Sequence, residues 1–401
     1  MRPGYDLAVV GAGILGLATV RELQRRHPGA RLVVVDRAAA VGSEQSGHNS
    51  GVIHAGVYYR PGSLKAGLCV RGAARLYEYC AERGIEARPV GKLIIATHRA
   101  ELPGLNRIER TARSNGVPGI RRLTEDEIPQ IEPHAIGLAA LHSPTTGIVD
   151  FAVVCRALAA EVQDAGAELR LGWPVTGISE RSSGVLIRGP AGEVLEVPNA
   201  VFCAGLEADR LAVCAGAPAE PRIVPFRGAY LRLVPESRSL IRGLIYPVPD
   251  PSLPFLGVHL TPQLDGQVIL GPTALMAGAR DAYRLTRVRR RDLVDTLSWP
   301  GTWRMMRRWW RTGVTELRLA ASRRAFAEQA ARYVPAIRPA DLVPGFAGVR
   351  AQAVGRGGEL VDDFVLSETA HTIHVRNAPS PAATSSLALA ELIADRLHGR
   401  P

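Results

Sequence analysis

Tyr5-Asp6-Leu7-Ala8-Val9-Val10-Gly11-Ala12-Gly13-Ile14-Leu15-Gly16 decides the fold of this chain. The first six residues read as a short buried strand. Gly11, Gly13 and Gly16 then turn it directly into a helix running to about Arg26. Leu32-Val33-Val34-Val35 is the next strand, and it ends in Asp36, 20 residues after Gly16. Strand, G-x-G-x-x-G, helix, strand and acid together make a dinucleotide-binding unit. Gly11 permits the tight turn, Gly13 admits a pyrophosphate to the backbone N–H groups, and Gly16 lets helix and strand pack closely. The helix N-terminus carries partial positive charge for that pyrophosphate, and Ile14 opens it. Asp36 is placed for ribose hydroxyls and disfavours a 2′-phosphate.

Working outward, 401 residues suggest two or three domains, and 46% apolar content with 41 glycines fits an α/β protein rich in turns. No run reaches the roughly 18 apolar residues of a membrane span. With the first strand at residue 5, no leader peptide is expected, and the cysteine usage leads us to expect a cytoplasmic location. Cys69, Cys80, Cys155, Cys203 and Cys214 show no C-x-x-C, so they read as reduced thiols, and no metal site is expected.

Residues 43–59 form a non-periodic segment rich in small and hydrogen-bonding side chains. Helices are expected near 64–83, 100–115 and 151–165. Short strands are expected near 91–97, 168–171, 175–180, 184–188 and 194–197, and a buried strand at 200–205. A strand-rich region covers about 222–271 and an Arg-rich helical one about 288–332. Strands near 350–354, 361–366 and 372–376 precede a terminal helix at 384–397. The fold class is therefore α/β: a Rossmann-like domain with an inserted, mainly antiparallel-sheet domain. The nucleotide domain takes residues 1–88, 150–222 and 344–401. The inserted substrate domain takes 89–149 and 223–343.

The net charge of +11 is uneven. Residues 280–332 hold 14 arginines against five acids, a net of +9. Only two lysines, Lys65 and Lys92, stand beside 47 arginines, which suggests positions where a compact ammonium is wanted. Trp299-Pro300-Gly301-Thr302-Trp303-Arg304-Met305-Met306-Arg307-Arg308-Trp309-Trp310-Arg311 interleaves Trp and Arg as an interfacial helix does. The alternative is a helix whose tryptophans pack inward. Nucleic acid is not expected as a partner.

The segment Gly47-His48-Asn49-Ser50-Gly51-Val52-Ile53-His54-Ala55-Gly56-Val57-Tyr58-Tyr59 resembles the L-2-hydroxyglutarate oxidase/dehydrogenase family, within the D-amino-acid-oxidase-like flavoproteins. So do Gly91-Lys92-Leu93, Thr146-Gly147-Ile148-Val149-Asp150, Val224-Pro225-Phe226-Arg227-Gly228, Pro254-Phe255-Leu256-Gly257-Val258-His259-Leu260, Gly348-Val349-Arg350-Ala351-Gln352 and Arg376-Asn377-Ala378-Pro379-Ser380-Pro381-Ala382-Ala383-Thr384. The likeness runs from Tyr5 to about Arg396. It implies non-covalent FAD and oxidation of L-2-hydroxyglutarate to 2-oxoglutarate. The rival within the class is a glycerol-3-phosphate or amino-acid oxidase. The rival outside it is a binding protein that keeps a structural FAD. With one dinucleotide site, electrons must leave to oxygen, a quinone or a carrier protein, and peripheral contact with the inner face of a cell membrane would suit a quinone.

The chemistry asks for a base near working pH, forked cations for two carboxylates, and a dry pocket. His54 and His259 are the candidate bases. Arg350 and Arg227 are the candidate clamps, joined by Lys65, with Tyr246 and Tyr59 as hydroxyl donors. The cofactor candidates are Gly11, Gly13, Ile14, Gly16, Asp36, Arg37, Ser46, His48, Asn49, Ser50, Gly51, Val175, Ala204, Gly205, Arg350, Ser380, Pro381, Ala382 and Ala383. The last four open the terminal helix, whose N–H groups would meet the flavin's pyrimidine edge.

Overall fold

The structure, a computed structural model, describes residues 4–250 and 256–398. Pro254 and Phe255 of the motif quoted above fall outside them.

Two sheets organise the chain. The first has six strands in the order Val365–Glu368, Thr372–Asn377, Asn199–Phe202, Leu7–Val10, Leu32–Val35 and Glu168–Arg170. All pairs are parallel except the edge pair formed by the first two. The apolar runs Leu7-Ala8-Val9-Val10 and Leu32-Val33-Val34-Val35 are buried on both faces, as central parallel strands require. One face is covered by helices Ile14–Arg26, Leu64–Glu82, Phe151–Asp164 and Ala382–His398. A meander of Gly177–Arg181, Gly184–Arg188 and Val194–Val197 covers the other, around Trp173.

The second sheet has nine strands, mostly antiparallel. Leu275–Met276, Arg222–Leu233, Val268–Gly271, His259–Pro262, Leu244–Pro247, Lys92–Ala96, Ala139–Ser143 and Arg121–Thr124 follow in order, and Leu342–Val354 pairs along Arg222–Leu233. Side chains alternate across a strand, so register decides what shares a face. Ile245, Leu260, Leu270 and Leu231 turn together into an apolar core. Their neighbours Tyr246, His259 and Tyr230 therefore turn the other way, toward the first sheet.

Three local readings shift. The strand expected from Val175 starts at Gly177. The strand expected over 361–366 is confined to Val365–Glu368. Asp363 takes hydrogen bonds from the backbone N–H groups of Leu64 and Lys65 at the helix start, while Leu360 and Val361 pair with Val354 and Ala353 of the larger sheet. The strand Leu342–Val354, grouped by sequence with the nucleotide half from residue 344, pairs instead in the nine-stranded sheet.

Candidate active site

A cleft of about 1180 Å³ lies between the C-terminal ends of the parallel strands and the face of the larger sheet. Its dinucleotide end is made largely of backbone. A Cβ on Gly16 would fall on the Gly11 carbonyl oxygen, and one on Gly11 on the Cys203 carbonyl oxygen. Gly11 also has φ of 113°, which L side chains rarely adopt. Asp36 accepts from the Ala12 N–H at 2.6 Å and the Ala38 N–H at 2.7 Å, so its carboxylate is fixed at the cleft rim. Ser46 Oγ accepts from Ile14 N–H at 3.0 Å, at the helix entrance. Val175, Ala204, Gly205 and residues 378–384, which lead into the terminal helix, complete this wall. A cradle closed to any Cβ, with an acid anchored after the second strand, fits a dinucleotide.

The other end is made of side chains. There His259 is buried and His54 half-buried, and the one arginine from the larger sheet, Arg350, sits opposite Phe226 in the register. His54 donates its backbone N–H to Thr384 Oγ1, and its Nε2 lies 3.3 Å from Ser380 Oγ. His54 Nδ1 is buried without a partner. Burial, with the charges of Lys92, His259 and Lys65 adding, holds His54 well below the usual imidazole range. His259 stacks on Tyr246, ring centroids 4.1 Å apart. Its Nδ1 lies 3.0 Å from the Gly257 carbonyl. A carbonyl only accepts, so Nδ1 carries the proton and Nε2 keeps its lone pair. Burial pushes His259 down to about 3.

Most of the expected residues line the cleft; Arg227, Gly51 and Gly16 do not, and Lys65 and Asn49 reach it with their side chains already engaged. Arg227 is absent from the cleft. It follows Phe226 and precedes Gly228, so alternation turns it to the opposite face, where Nε donates to the Tyr283 carbonyl. Lys65 reaches the cleft, but its Nζ is already bonded to Asp362 Oδ1 at 2.7 Å and to the Asp362 carbonyl at 3.0 Å. Asn49 lines the cleft while its side chain bonds the carbonyls of Gln45 and Ser46 and the N–H of Gly51, ordering its own loop. Gly51 stands off the cleft, in a turn with φ of 70° against the Val149 carbonyl. Gly16 too is off the cleft and acts by helix packing.

Arg37 pairs with Glu44 and Glu207 at the rim, and His48 packs on Tyr283. Ser50 and Tyr59 line the cleft, Tyr59 beneath the Lys65 ammonium. Sequence reasoning missed Tyr58, Tyr230 and Arg376, all lining the cleft, and Lys92 behind it. Only Lys92 left a signal, the scarcity of lysine.

A parallel-sheet glycine cradle, a second sheet roofing it and enclosed imidazoles between them define a flavin-dependent oxidoreductase. The chain belongs to the FAD dependent oxidoreductase family, which matches residues 6–396, and FAD is its cofactor. Among its relatives is the mitochondrial L-2-hydroxyglutarate dehydrogenase of Nematostella vectensis, 44% identical over 99% of this chain and 91% of the relative. The human protein of that name is 42% identical over 99% and 89%, and the Indibacter alkaliphilus L-2-hydroxyglutarate dehydrogenase 40% identical over 96% of each chain. Among solved structures, the FAD-bound L-alpha-glycerophosphate oxidase of Mycoplasma pneumoniae superposes with a TM-score of 0.81 at 22% identity, over 99% of this chain and 95% of that one. That likeness concerns the fold alone.

Proposed function

We propose that this chain oxidises L-2-hydroxyglutarate to 2-oxoglutarate. The observation that carries the reading is the pairing of a dinucleotide cradle with a cation-rich, enclosed end that holds two neutral imidazoles. The relatives at 40–44% identity support the same substrate. The bipartite arrangement, a nucleotide domain and an inserted substrate domain, is part of the proposal.

Bound FAD supplies the acceptor for the hydride that leaves C2. The chain supplies the rest. His259 takes the hydroxyl proton at Nε2, the nitrogen left free by its bond to Gly257. His54, tied to Ser380 and Thr384, orients the hydroxyl from the flavin side. Both stay neutral at working pH because burial disfavours the imidazolium. The arriving carboxylates raise their proton affinity at the moment it is needed. Arg350 grips one carboxylate with its planar fork, and Tyr230 and Tyr246 border it. Arg227 is not a clamp, and Lys65 ties the loop at Asp362 to the helix start.

The reading extends to the electron acceptor. The helix Pro300–Ala321 buries Met305 and leaves Trp303, Met306, Trp310, Val314 and Leu317 exposed. Trp303 and Met306 share a face before a kink at Trp309, and Trp310, Val314 and Leu317 share a face after it, beside Arg304, Arg307, Arg308, Arg311 and Arg318. Trp299, by contrast, is buried and bonded to the Val354 carbonyl, so part of this segment is core. No described helix is long and apolar enough to cross a membrane. We assign the exposed face to reversible contact with an anionic bilayer, where a quinone can be met.

Anaerobic mixing with L-2-hydroxyglutarate, its D-enantiomer and L-lactate tests the reaction. Rapid bleaching of the flavin band by the first alone is expected. Equal bleaching by L-lactate overturns the dicarboxylate reading, and no bleaching by any of the three overturns the hydroxy-acid reading.

A further inference from the structure

Lys92 opens the strand Lys92–Ala96, with Leu244 as its parallel neighbour. It is 1% exposed. Its Nζ lies 4.9 Å from the Tyr58 ring centroid and 4.5 Å from that of Tyr246. Both rings line the cleft, and Tyr246 carries His259 stacked on its side. The ammonium therefore stands one ring behind the candidate base. Two polar atoms of the same nest, Tyr58 Oη and His54 Nδ1, are buried without partners.

No carboxylate among the described residues lies within 4 Å of Lys92 Nζ, the ion-pair distance met by Lys65 and Asp362. The buried Arg280 likewise has Asp209. A buried charge without a counter-ion is costly, and an apolar side chain of similar length would pack in the same slot at less cost. The two ring faces compensate the ammonium in part. A chain that otherwise uses arginine nearly everywhere keeps one of its two lysines here.

We propose, on the basis of the reaction assigned above, that Lys92 is a positioning residue for the dicarboxylate substrate. Its charge is left unbalanced behind the aromatic wall of the cleft, is balanced when the dianion enters, and acts on it through Tyr246 and His259. The groups that interact with it are His54 and Tyr58 from the loop, Cys69 from the helix, and Tyr246 and His259 from the larger sheet, while the buried Glu132 beside Gly243 is engaged by the Arg242 and Gly243 N–H groups. None of the groups that interact with it is a carboxylate, and burial keeps the Cys69 thiol protonated.

Burial lowers Lys92 to about 7. The charge is then full below that pH and lost above it, so dianion affinity should weaken as pH rises through 7. The bound dianion holds the proton on Lys92.

The test uses FAD-loaded wild type, Lys92→Met and Lys92→Arg, with glutarate as an unreactive dicarboxylate. Affinity is read from the flavin absorbance change at pH 6 and pH 8, and ligand-free Tm is measured alongside. The methionine variant keeps contact with the rings. It should keep its FAD and a ligand-free Tm at or above wild type. It should lose about tenfold or more in glutarate affinity at pH 6, and the pH dependence with it. Lys92→Arg should restore part of the affinity and none of the pH dependence. For L-2-hydroxyglutarate, KM should rise more than kcat falls.

A methionine variant with a Tm several degrees lower and unchanged glutarate affinity makes Lys92 a packing residue and overturns the inference. So does wild type that binds no glutarate. If the methionine variant does not fold, Lys92→Gln is read by the same criteria. Glutarate binding that depends on Lys92 in a protein not reduced by L-2-hydroxyglutarate sinks the substrate assignment alone.

Discussion

The two ends of the cleft are built from different materials. At the dinucleotide end the contacts are largely backbone: Gly11 against the Cys203 carbonyl, Gly16 against Gly11, Gly348 against the His48 carbonyl. At the substrate end they are side chains: Lys92 between two tyrosines, His259 on Tyr246, His54 beside Ser380. A backbone site is indifferent to pH and intolerant of one methyl group. A side-chain site adapts its packing and is governed by charge. The first recognises a shape common to dinucleotides. On the reading proposed above, the second selects among small acids, where the first sheet's loops meet the second sheet's face.

The sharpest way to break this contrast is Gly16→Ala. Its Cβ would collide with backbone, which cannot swing aside as a side chain can. The cost should be about 3 kcal/mol or more, with most of the flavin lost. The flavin-to-protein absorbance ratio and Tm report it. A yellow variant of wild-type Tm would show that the turn has slack.

Next comes the division between the imidazoles. His259→Asn should reduce kcat by roughly 100-fold or more, as removal of a general base does, with FAD content unchanged. His54→Asn should reduce it less. Single-turnover flavin reduction separates these from acceptor effects. The reverse order would move the base to His54, and equal small losses would remove both from the proton transfer.

The smallest effect concerns the far surface. Trp303→Ala, Trp310→Ala, Arg307→Glu and Arg308→Glu together should leave flavin reduction within about twofold and abolish pelleting with anionic vesicles. About 1 kcal/mol per basic residue near an anionic bilayer is at stake. Wild-type pelleting should weaken toward 1 M salt, where the Debye length is about 3 Å. Equal pelleting with neutral vesicles, or a variant that pellets like wild type, assigns the exposed face to something other than an anionic membrane.

The two ends were also unequally legible in the sequence. Gly11, Gly13, Gly16 and Asp36 sit in one local unit, so spacing alone located them. Val175 and residues 380–383 came through resemblance rather than spacing, and they do line the cleft. At the substrate end, Arg227 and Arg350 looked alike as single cations among apolar and small residues. Their strands pair, with Arg227 opposite Val349 and Arg350 opposite Phe226, so the two arginines occupy opposite faces. Nothing local distinguishes those faces. Lys65 looked like a clamp because Asp362, nearly 300 positions away, cannot be seen from it.

The sequence by itself determined the nucleotide unit, its cofactor class and the family, because a G-x-G-x-x-G turn and its acid are satisfied within about thirty residues of chain. It also determined that basic charge and tryptophan concentrate in one late segment. Only the tertiary structure decided which side of each strand faces the flavin cradle, which cations already have carboxylates and which nitrogen of His259 is free. It alone placed Lys92 behind the rings of Tyr58 and Tyr246. These depend on register and on contacts between residues far apart in sequence, and charge balance in a buried pocket is a property of everything within a few ångströms, whatever its place along the chain.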